Sequence, residues 1–332
     1  MNNKNQGVSR SLPAWSILFA ALVLAVLLPL RLWQQINLVE QGTGFWLGGS
    51  VTVPLLYAGL GVLAAVPCAA ALAVRKRAAL DLTRKRRVLE GMTAALTAAA
   101  LLWCAVTAFR FALRLFSGQG SGEFFDGFEA RASSPMEFYI RSGAMACVLE
   151  SVFGILSAVF FGQLASVDFF PKRNIYVSRA LALAPFAWAV CRILRRFSRT
   201  IAFLRVSDLF LGLAMLVALM LFLLAFAQCV SGRYGASRTA PLLAAGIPAA
   251  VLALLCFVPR LVTYGIMGLT PPQDALIEWC DPAIAMFALM FMAGRLFAGA
   301  PGTQGREDEE IEDEIAEEPE DEPEDEPESA GE

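Results

Sequence analysis

The residue of this chain best suited to chemistry is Glu150, an acid inside a long apolar run. An ionisable side chain within a membrane-spanning helix is costly, so such residues usually mark a proton path, an ion site or a buried partner. Gly143, Cys147, Gly154 and Ser157 recur with Glu150 at helical spacing and form a weakly polar stripe. We expect this stripe to face protein or a cavity.

Two hypotheses account for Glu150. In the first, the carboxylate is a proton or cation site of a transport path. In the second, it is a structural acid that pairs with Arg110, which ends the third apolar run on the same side. A working ion path usually needs several such groups, and the sequence offers essentially one, which favours the structural hypothesis.

Several other chemistries are excluded by residue types. The chain has no histidine, and its seven cysteines are scattered, mostly inside apolar runs, without a CxxC pair. It also lacks a phosphate-binding loop and a nucleophile elbow. We therefore predict no catalytic residue, no cofactor and no metal site, and we do not expect an enzyme.

The most basic loop lies between the second and third apolar runs. Lys and Arg accumulate in short cytoplasmic loops of membrane proteins, so this loop predicts the cytoplasmic side. A second interpretation is contact with anionic lipid headgroups. Because the basic residues sit in short loops between apolar runs, we do not expect a nucleic-acid partner. The residues of this loop are Arg75, Lys76, Arg77, Arg84, Lys85, Arg86 and Arg87.

Composition separates an apolar body from an acidic tail. The chain is 57% hydrophobic and 17% charged, whereas soluble proteins are about 45–50% apolar and about 25% charged. Of the 30 acidic residues, 17 lie between Glu307 and Glu332, and residues 1–305 hold 26 basic against 13 acidic residues. Such a tail cannot bury enough apolar surface to fold, so we predict disorder and consider a soluble partner for it.

Eight apolar runs must position these side chains. A spanning helix needs about 20 mainly apolar residues, and most of the runs approach or exceed that length. The sequence therefore predicts an all-α integral membrane helical bundle of about eight transmembrane helices, with an N-terminal segment (1–13), a membrane domain (14–299) and a disordered tail (300–332). The runs are Ala14–Leu32, Val51–Val74, Met92–Phe109, Gly143–Ala165, Ala180–Leu194, Leu209–Val230, Pro241–Val258 and Pro282–Ala298.

The fifth run decides the topology. Its uninterrupted apolar stretch, Ala180–Cys191, has only 12 residues, which is typical of a re-entrant or interfacial segment. If 180–194 does not cross, seven spans remain and the Lys and Arg count is 18 inside and 9 outside, against 16 and 11 for eight spans. Arginines at both ends can extend a short helix by snorkelling, and we predict eight spans with both termini cytoplasmic.

Three aromatic motifs carry a resemblance. Arg31-Leu32-Trp33-Gln34, then Gln41-Gly42-Thr43-Gly44-Phe45-Trp46, and Pro185-Phe186-Ala187-Trp188-Ala189 resemble a group of uncharacterised bacterial polytopic membrane proteins. The resemblance implies a multi-pass protein of the cell membrane and brings no known activity. Pro185 and Pro248 are expected inside the fifth and seventh helices, where they would interrupt backbone hydrogen bonds.

Two functions remain open. The apolar bundle, its small-residue helix faces and the acidic arm favour a non-catalytic membrane scaffold, sensor or assembly component, with the bilayer and other membrane subunits as partners. The alternative is a transporter or permease component that uses Glu150 as a proton or cation site, which the interrupted helices favour.

Overall fold

The computed structural model describes residues 3–40, 45–47, 50–74, 88–117, 143–170, 178–199, 207–231, 239–269 and 277–296. Within these ranges the chain is helical and contains no strand, apart from one isolated antiparallel bridge between Val39 and Trp46. The basic loop 75–87 and the acidic tail 300–332 lie outside the described residues.

Every predicted apolar run contains a helix. A 3-10 turn, Leu181–Leu183, leads into the fifth helix, and a π-helical segment, Leu261–Ile266, continues the seventh. The helices are α1 (Asn3–Asn37), α2 (Thr52–Val74), α3 (Val88–Phe116), α4 (Ala144–Phe169), α5 (Ala184–Arg199), α6 (Ser207–Val230), α7 (Thr239–Arg260) and α8 (Cys280–Leu296).

Six of the described helices are long and apolar enough to cross a membrane, namely α1 to α4, α6 and α7. Large apolar side chains cover the outer surface of the bundle, for example Leu22 and Val26 on α1 and Leu102 on α3. Such a surface suits lipid, in which apolar side chains need no cover. The remaining two, α5 and α8, have 16 and 17 residues and are shorter than the rest.

The core is built around α7, the most buried of the six long helices, which packs against α1, α2, α6 and α8. A group of phenylalanine rings fills the space between α4, α6 and α8. The ring of Phe226 on α6 lies at its centre, 5.0 Å from the ring of Phe291, 5.3 Å from that of Phe287 and 6.2 Å from that of Phe161, centroid to centroid. Edge-to-face and stacked pairs of this kind add to the packing energy.

Helices α3 and α4 pack closely because small residues meet at their interface. A Cβ atom on Gly154 would lie 3.0 Å from the Cβ of Ala105, so the two backbones approach nearly as far as their atoms allow. Ser151 Oγ donates a hydrogen bond of 2.9 Å to the carbonyl of Ala105. Gly143, immediately before α4, has a φ of 76°, which is in the left-handed region that favours glycine.

The prolines behave differently from one another. Pro185 was expected inside the fifth helix, and it is the second residue of α5, directly after the 3-10 turn. Pro248 does lie inside α7, as expected, and Pro259 lies near its end. The π-helical segment follows directly, and Thr263 Oγ1 donates to the carbonyl of Pro259 at 2.7 Å.

Candidate functional site

Five charged side chains meet inside the bundle and form what we call the charge cluster: Glu150, Arg192, Arg195, Glu278 and Asp281. They come from α4, from α5 and from the chain that enters α8. Acidic and basic groups alternate along the cluster, so that each guanidinium lies between two carboxylates. With three carboxylates and two guanidiniums, the cluster has a formal charge of −1.

Arg192 is the centre of the cluster and has no solvent exposure. Its Nη1 donates to Asp281 Oδ1 at 2.5 Å and its Nη2 to Asp281 Oδ2 at 3.0 Å, which is the bidentate geometry that suits a guanidinium and a carboxylate. Nη2 also contacts Oε2 of Glu278. The guanidinium carbon lies 5.1 Å from the centre of the Trp188 ring, within cation–π range.

Arg195 extends the cluster to α4. Its Nη2 donates to Glu278 Oε1 at 2.9 Å, and its Nε lies 3.0 Å from Glu150 Oε2. This second contact is an ion pair without an aligned hydrogen bond, so Oε2 of Glu150 keeps its capacity to accept one. The Glu150 side chain is 4% exposed and that of Arg195 is 13% exposed.

The cluster lies near one end of the helices that supply it. Glu150 is six residues after the start of α4 at Ala144, which is about 9 Å at 1.5 Å per residue, and Asp281 is the second residue of α8. Helix α4, and helix α3, to whose Ala105 the neighbouring Ser151 bonds, are both long and apolar enough to cross a membrane. Charges within such helices persist only when they are paired.

One face of helix α5 carries Arg192 into the interior. Trp188, Arg192 and Arg196 follow each other at four-residue spacing, and all three side chains are buried on one stripe of the helix. The guanidinium of Arg196 reaches α6, where Gly212 makes room for it: a Cβ on Gly212 would lie 2.7 Å from Arg196 Nη1 and 3.4 Å from Arg260 Nη2. The absence of a side chain at Gly212 therefore lets two arginines from α5 and α7 enter the interior.

A second polar junction joins α1 to its neighbours. Gln34 Nε2 donates to the carbonyl of Thr52 at 2.7 Å, and Gln35 Nε2 donates to the hydroxyl of Tyr264 at 2.8 Å. The guanidinium carbon of Arg31 lies 5.3 Å from the centre of the Trp46 ring. Two of the aromatic motifs therefore meet here, although residues 41–44 of the second lie outside the described ranges.

One cavity of about 290 Å³ opens onto the charge cluster, and we call it the cluster cavity. Glu150, Arg195 and Glu278 supply its charges. One face of α3 and the residues before α8 supply the rest of the lining, which is Trp103, Cys104, Thr107, Ala108, Phe111, Ile277 and Trp279. It is small, at the lower end of the range for small-molecule sites.

Two larger spaces differ in chemistry. A groove of about 670 Å³ between α2, α6 and α7 has no charged residue in its lining, and it faces outward as a lipid-exposed surface does. Another space, of about 520 Å³, lies between the start of α5 and the end of α6, with Arg179 and Gln228 among its lining residues. Of these three spaces, only the cluster cavity contains paired charges of both signs.

The residues present fit a guanidinium better than a metal ion. Ligand atoms of Glu278, Cys280 and Asp281 lie within 4.8 Å of one another, which is close enough for a shared ion. Arg192 already contacts both carboxylates, however, and a divalent cation would have to displace its guanidinium. The arrangement therefore offers no vacant pair of carboxylates to a metal.

The structure locates the site residues predicted from the sequence. Glu150 and its stripe are buried, as expected. The predicted pairing of Glu150 with Arg110 is wrong. Arg110 is exposed on the outer side of α3, and the cation beside Glu150 is Arg195. The basic loop, with Arg75, Lys76, Arg77, Arg84, Lys85, Arg86 and Arg87, lies outside the described residues, and its lipid contact stays a prediction.

Four residues of the charge cluster were not predicted as a site. The sequence argument used the arginines of the fifth run only as topological charges. A usable signal was present, because an apolar helix with arginines on one stripe needs carboxylates nearby. Asp281 accepts hydrogen bonds from Arg192 with both of its carboxylate oxygens.

Comparison with known proteins gives no relative for this architecture. No protein-family model matches the chain, and no curated protein and no solved structure is significantly similar to it. The class that the structure defines is therefore the coarse one, an all-helical membrane protein with at least six helices able to span a bilayer.

Proposed function

We propose that this chain is a non-catalytic, multi-pass membrane protein that acts as a scaffold, sensor or assembly component. The observation that carries the proposal is the alternation of acids and arginines in the charge cluster. A catalytic acid or an ion carrier must exchange its proton or cation freely. Arginine stays charged in proteins, so carboxylates held by it are suited to joining helices.

We also propose eight spans with both termini in the cytoplasm of a bacterial-type cell. The length of the shortest candidate span, the 3-10 turn followed by α5, supports this number of spans. Three residues in the 3-10 turn and 16 in α5 give about 30 Å, because the two helix types rise about 2.0 and 1.5 Å per residue. This equals the thickness of the hydrocarbon core of a bilayer, about 30 Å.

The direction of α5 supports a crossing as well. Near the C-terminal end of α5, Arg195 is paired with Glu150. Just before the 3-10 turn that leads into α5, the backbone N–H of Ser178 donates to Oε1 of Gln163 at 3.3 Å. Because Gln163 and Glu150 are 13 residues apart on α4, α5 returns antiparallel along about 20 Å of that helix. A segment that lay flat at one interface would not follow α4 over this distance.

Reporter fusions test this topology. A reporter active only in the cytoplasm should be active after residue 332 and inactive when inserted near residue 203, between α5 and α6. A reporter active only outside the cytoplasm should show the opposite pattern. Cytoplasmic activity at residue 203 would remove α5 from the list of spans, and extracytoplasmic activity at residue 332 would contradict an even number of crossings.

A purification with crosslinking in native membranes tests the scaffold function. We expect a membrane or soluble partner at a fixed stoichiometry. A matched sample that lacks residues 300–332 separates partners of the acidic tail from partners of the membrane domain. Purification of the chain alone, together with a solute flux in proteoliposomes, would contradict the proposal.

The second candidate function is a transporter or permease component. It is favoured by Glu150, which is buried, lines the cluster cavity and has an oxygen without an aligned hydrogen bond. In proteoliposomes, transport through this site predicts a proton or cation flux that Glu150→Gln abolishes and that Glu40→Gln, at an exposed position, leaves unchanged. A flux equal in both variants, or no flux in the unchanged protein, contradicts this candidate.

A further inference from the structure

We propose that Cys104 on α3 and Cys280 at the start of α8 are a redox-active pair, which hydrogen peroxide oxidises to a disulfide that joins the two helices. The proposal goes beyond the proposed function, because it depends on the contact between two side chains and not on what the chain acts upon. Three observations support it: the helices bring the two thiols into contact, their side chains lean toward each other, and one thiol lines an open cavity.

Helices α3 and α8 bring the two cysteines together. Thr97 Oγ1 on α3 donates a hydrogen bond of 3.1 Å to the carbonyl of Ala283 on α8, so the two helices touch at this level. Cys104 lies seven residues after Thr97, a spacing of two turns that keeps it on the same face of α3. Cys280 lies three residues before Ala283 and shares its face of α8 in the same way. The two thiols are hydrogen-bonded to each other, and the backbone N–H of Cys280 is directed at the Cys104 sulfur.

The direction of the helices favours a bond between the two sulfur atoms. Side chains on a helix tilt toward its N-terminus. Because α3 and α8 run antiparallel at this contact, Cys104 leans toward the level of Ala283 and Cys280 leans toward the level of Cys104. An S–S bond is about 2.0 Å long, which is shorter than a hydrogen bond, so its formation requires a small rotation of the two side chains.

Cys104 supplies the thiol that reacts first. It is half-buried and lines the cluster cavity, whereas Cys280 has no solvent exposure. Trp103 and Trp279, which also line the cavity, are 60% and 52% exposed, so the cavity is open on the side where these indoles lie. Its volume of about 290 Å³ is several times the share of one water molecule, about 30 Å³, and hydrogen peroxide is little larger than water.

The oxidation needs peroxide as its only co-reactant. The Cys104 sulfur attacks one peroxide oxygen, the O–O bond breaks, and the products are a sulfenic acid and one water. The Cys280 sulfur then attacks the sulfenic sulfur, the S–O bond breaks, and a second water leaves as the S–S bond forms. Two electrons pass from the thiols to the peroxide, and both thiol protons leave in the waters. Because the second thiol is already in contact with the first, we expect the sulfenic acid to be short-lived.

The disulfide would fix the beginning of α8 against α3 beside the charge cluster. Cys280 directly precedes Asp281, and its sulfur lies 3.8 Å from Oδ1 of that residue. A disulfide stabilises a protein mainly by constraining the unfolded chain, and more so when it closes a long loop. Positions 104 and 280 are far apart along the chain. We therefore expect oxidation to shift the unfolding equilibrium toward the folded state by about 30- to 1,000-fold.

Oxidation of the purified full chain in nanodiscs tests the pair. After treatment with hydrogen peroxide, intact mass spectrometry should show the loss of two hydrogen atoms, which dithiothreitol reverses. Peptide mapping without reduction should recover the peptide of Cys104 joined to that of Cys280. Two unmodified thiols, or Cys104 converted to a sulfinic acid while Cys280 stays a free thiol, would overturn the proposal. A disulfide of Cys104 with any other cysteine would overturn it as well.

Matched variants assign the bond to this pair. Cys280→Ser should prevent the loss of two hydrogen atoms and let the sulfenic acid of Cys104 accumulate, where dimedone traps it. Cys68→Ser, at an exposed cysteine on α2, should leave the disulfide unchanged. Cys104→Ser should also abolish the disulfide, and peroxide should then leave its unfolding in mixed micelles unchanged. The same loss of mass in Cys280→Ser, or the same gain in stability in Cys104→Ser, would assign the effect to other thiols and overturn the proposal.

Discussion

Replacement of Arg192 by methionine is the most direct test of the charge cluster. The side chain is completely buried and donates two hydrogen bonds to Asp281, at 2.5 and 3.0 Å, besides contacting Glu278. Methionine has a similar length and no charge. The variant therefore leaves Asp281 without its guanidinium and leaves Glu278 with Arg195 alone.

The expected loss follows from this geometry. Breaking a buried ion pair by removing one partner costs about 3–5 kcal/mol, because a buried charge remains uncompensated. We therefore expect Arg192→Met to lower the free energy of unfolding by about 3 kcal/mol, or roughly 100-fold in the folding equilibrium constant.

Reversible unfolding in mixed micelles, followed by tryptophan fluorescence, measures this loss. The double variant Arg192→Met with Asp281→Leu separates charge from packing. Replacing both partners by apolar residues of similar size is often neutral, so the double variant should recover about 2 kcal/mol of the loss. Arg110→Met, at an exposed arginine on α3, is the control and should change stability by less than about 0.5 kcal/mol.

The reasoning is refuted if Arg192→Met costs less than about 1 kcal/mol, because that is below the cost of leaving a buried charge unpaired. It is also refuted if the double variant is no more stable than the single one. In that case the loss would come from packing of the arginine side chain around Trp188, and the carboxylate of Asp281 would not require its partner.

Three further predictions concern packing and can be measured in the same unfolding experiment. Gly154→Leu should destabilise by about 1–3 kcal/mol, because a Cβ there would lie 3.0 Å from that of Ala105. Gly162→Leu, on the same helix, should be nearly neutral, because a Cβ there would meet nothing within 4 Å. Phe226→Ala should cost about 3–5 kcal/mol through the cavity it leaves among the surrounding rings. Tyr264→Phe removes only the hydroxyl that accepts from α1, so we expect a loss of about 1 kcal/mol and faster amide exchange in the π-helical segment.

Hydropathy and length were sufficient to predict where the helices lie. The run Val51–Val74 differs by one residue from α2, and Leu209–Val230 lies within α6. Ends were less accurate where polar residues continue a helix: α3 extends from Val88 to Phe116, beyond the predicted Met92–Phe109. An apolar run marks the part of a helix that suits lipid, and the helix itself continues as long as backbone hydrogen bonds and neighbouring helices support it.

The partner of Glu150 could not be predicted from spacing. The stripe around Glu150 fixed which face of α4 is buried, because helical periodicity is local. Which cation meets that face depends on how α5 packs against α4, and residue 195 is 45 positions away along the chain. Arg110 was a reasonable expectation from its position at the end of a neighbouring helix, but its side chain is on the exposed side of α3.

The same packing changes the argument about topology. Under eight spans, 11 basic residues are assigned to the outer side, which is high for the positive-inside rule. Five of these arginines are held inside the bundle, four of them buried and one in an ion pair with Glu150: Arg31, Arg192, Arg195, Arg196 and Arg260. Charges that are buried or paired within the bundle do not act as loop charges. Six basic residues then remain on the outer side, against 16 on the inner side. The arginines of α5 therefore no longer argue against an eighth span.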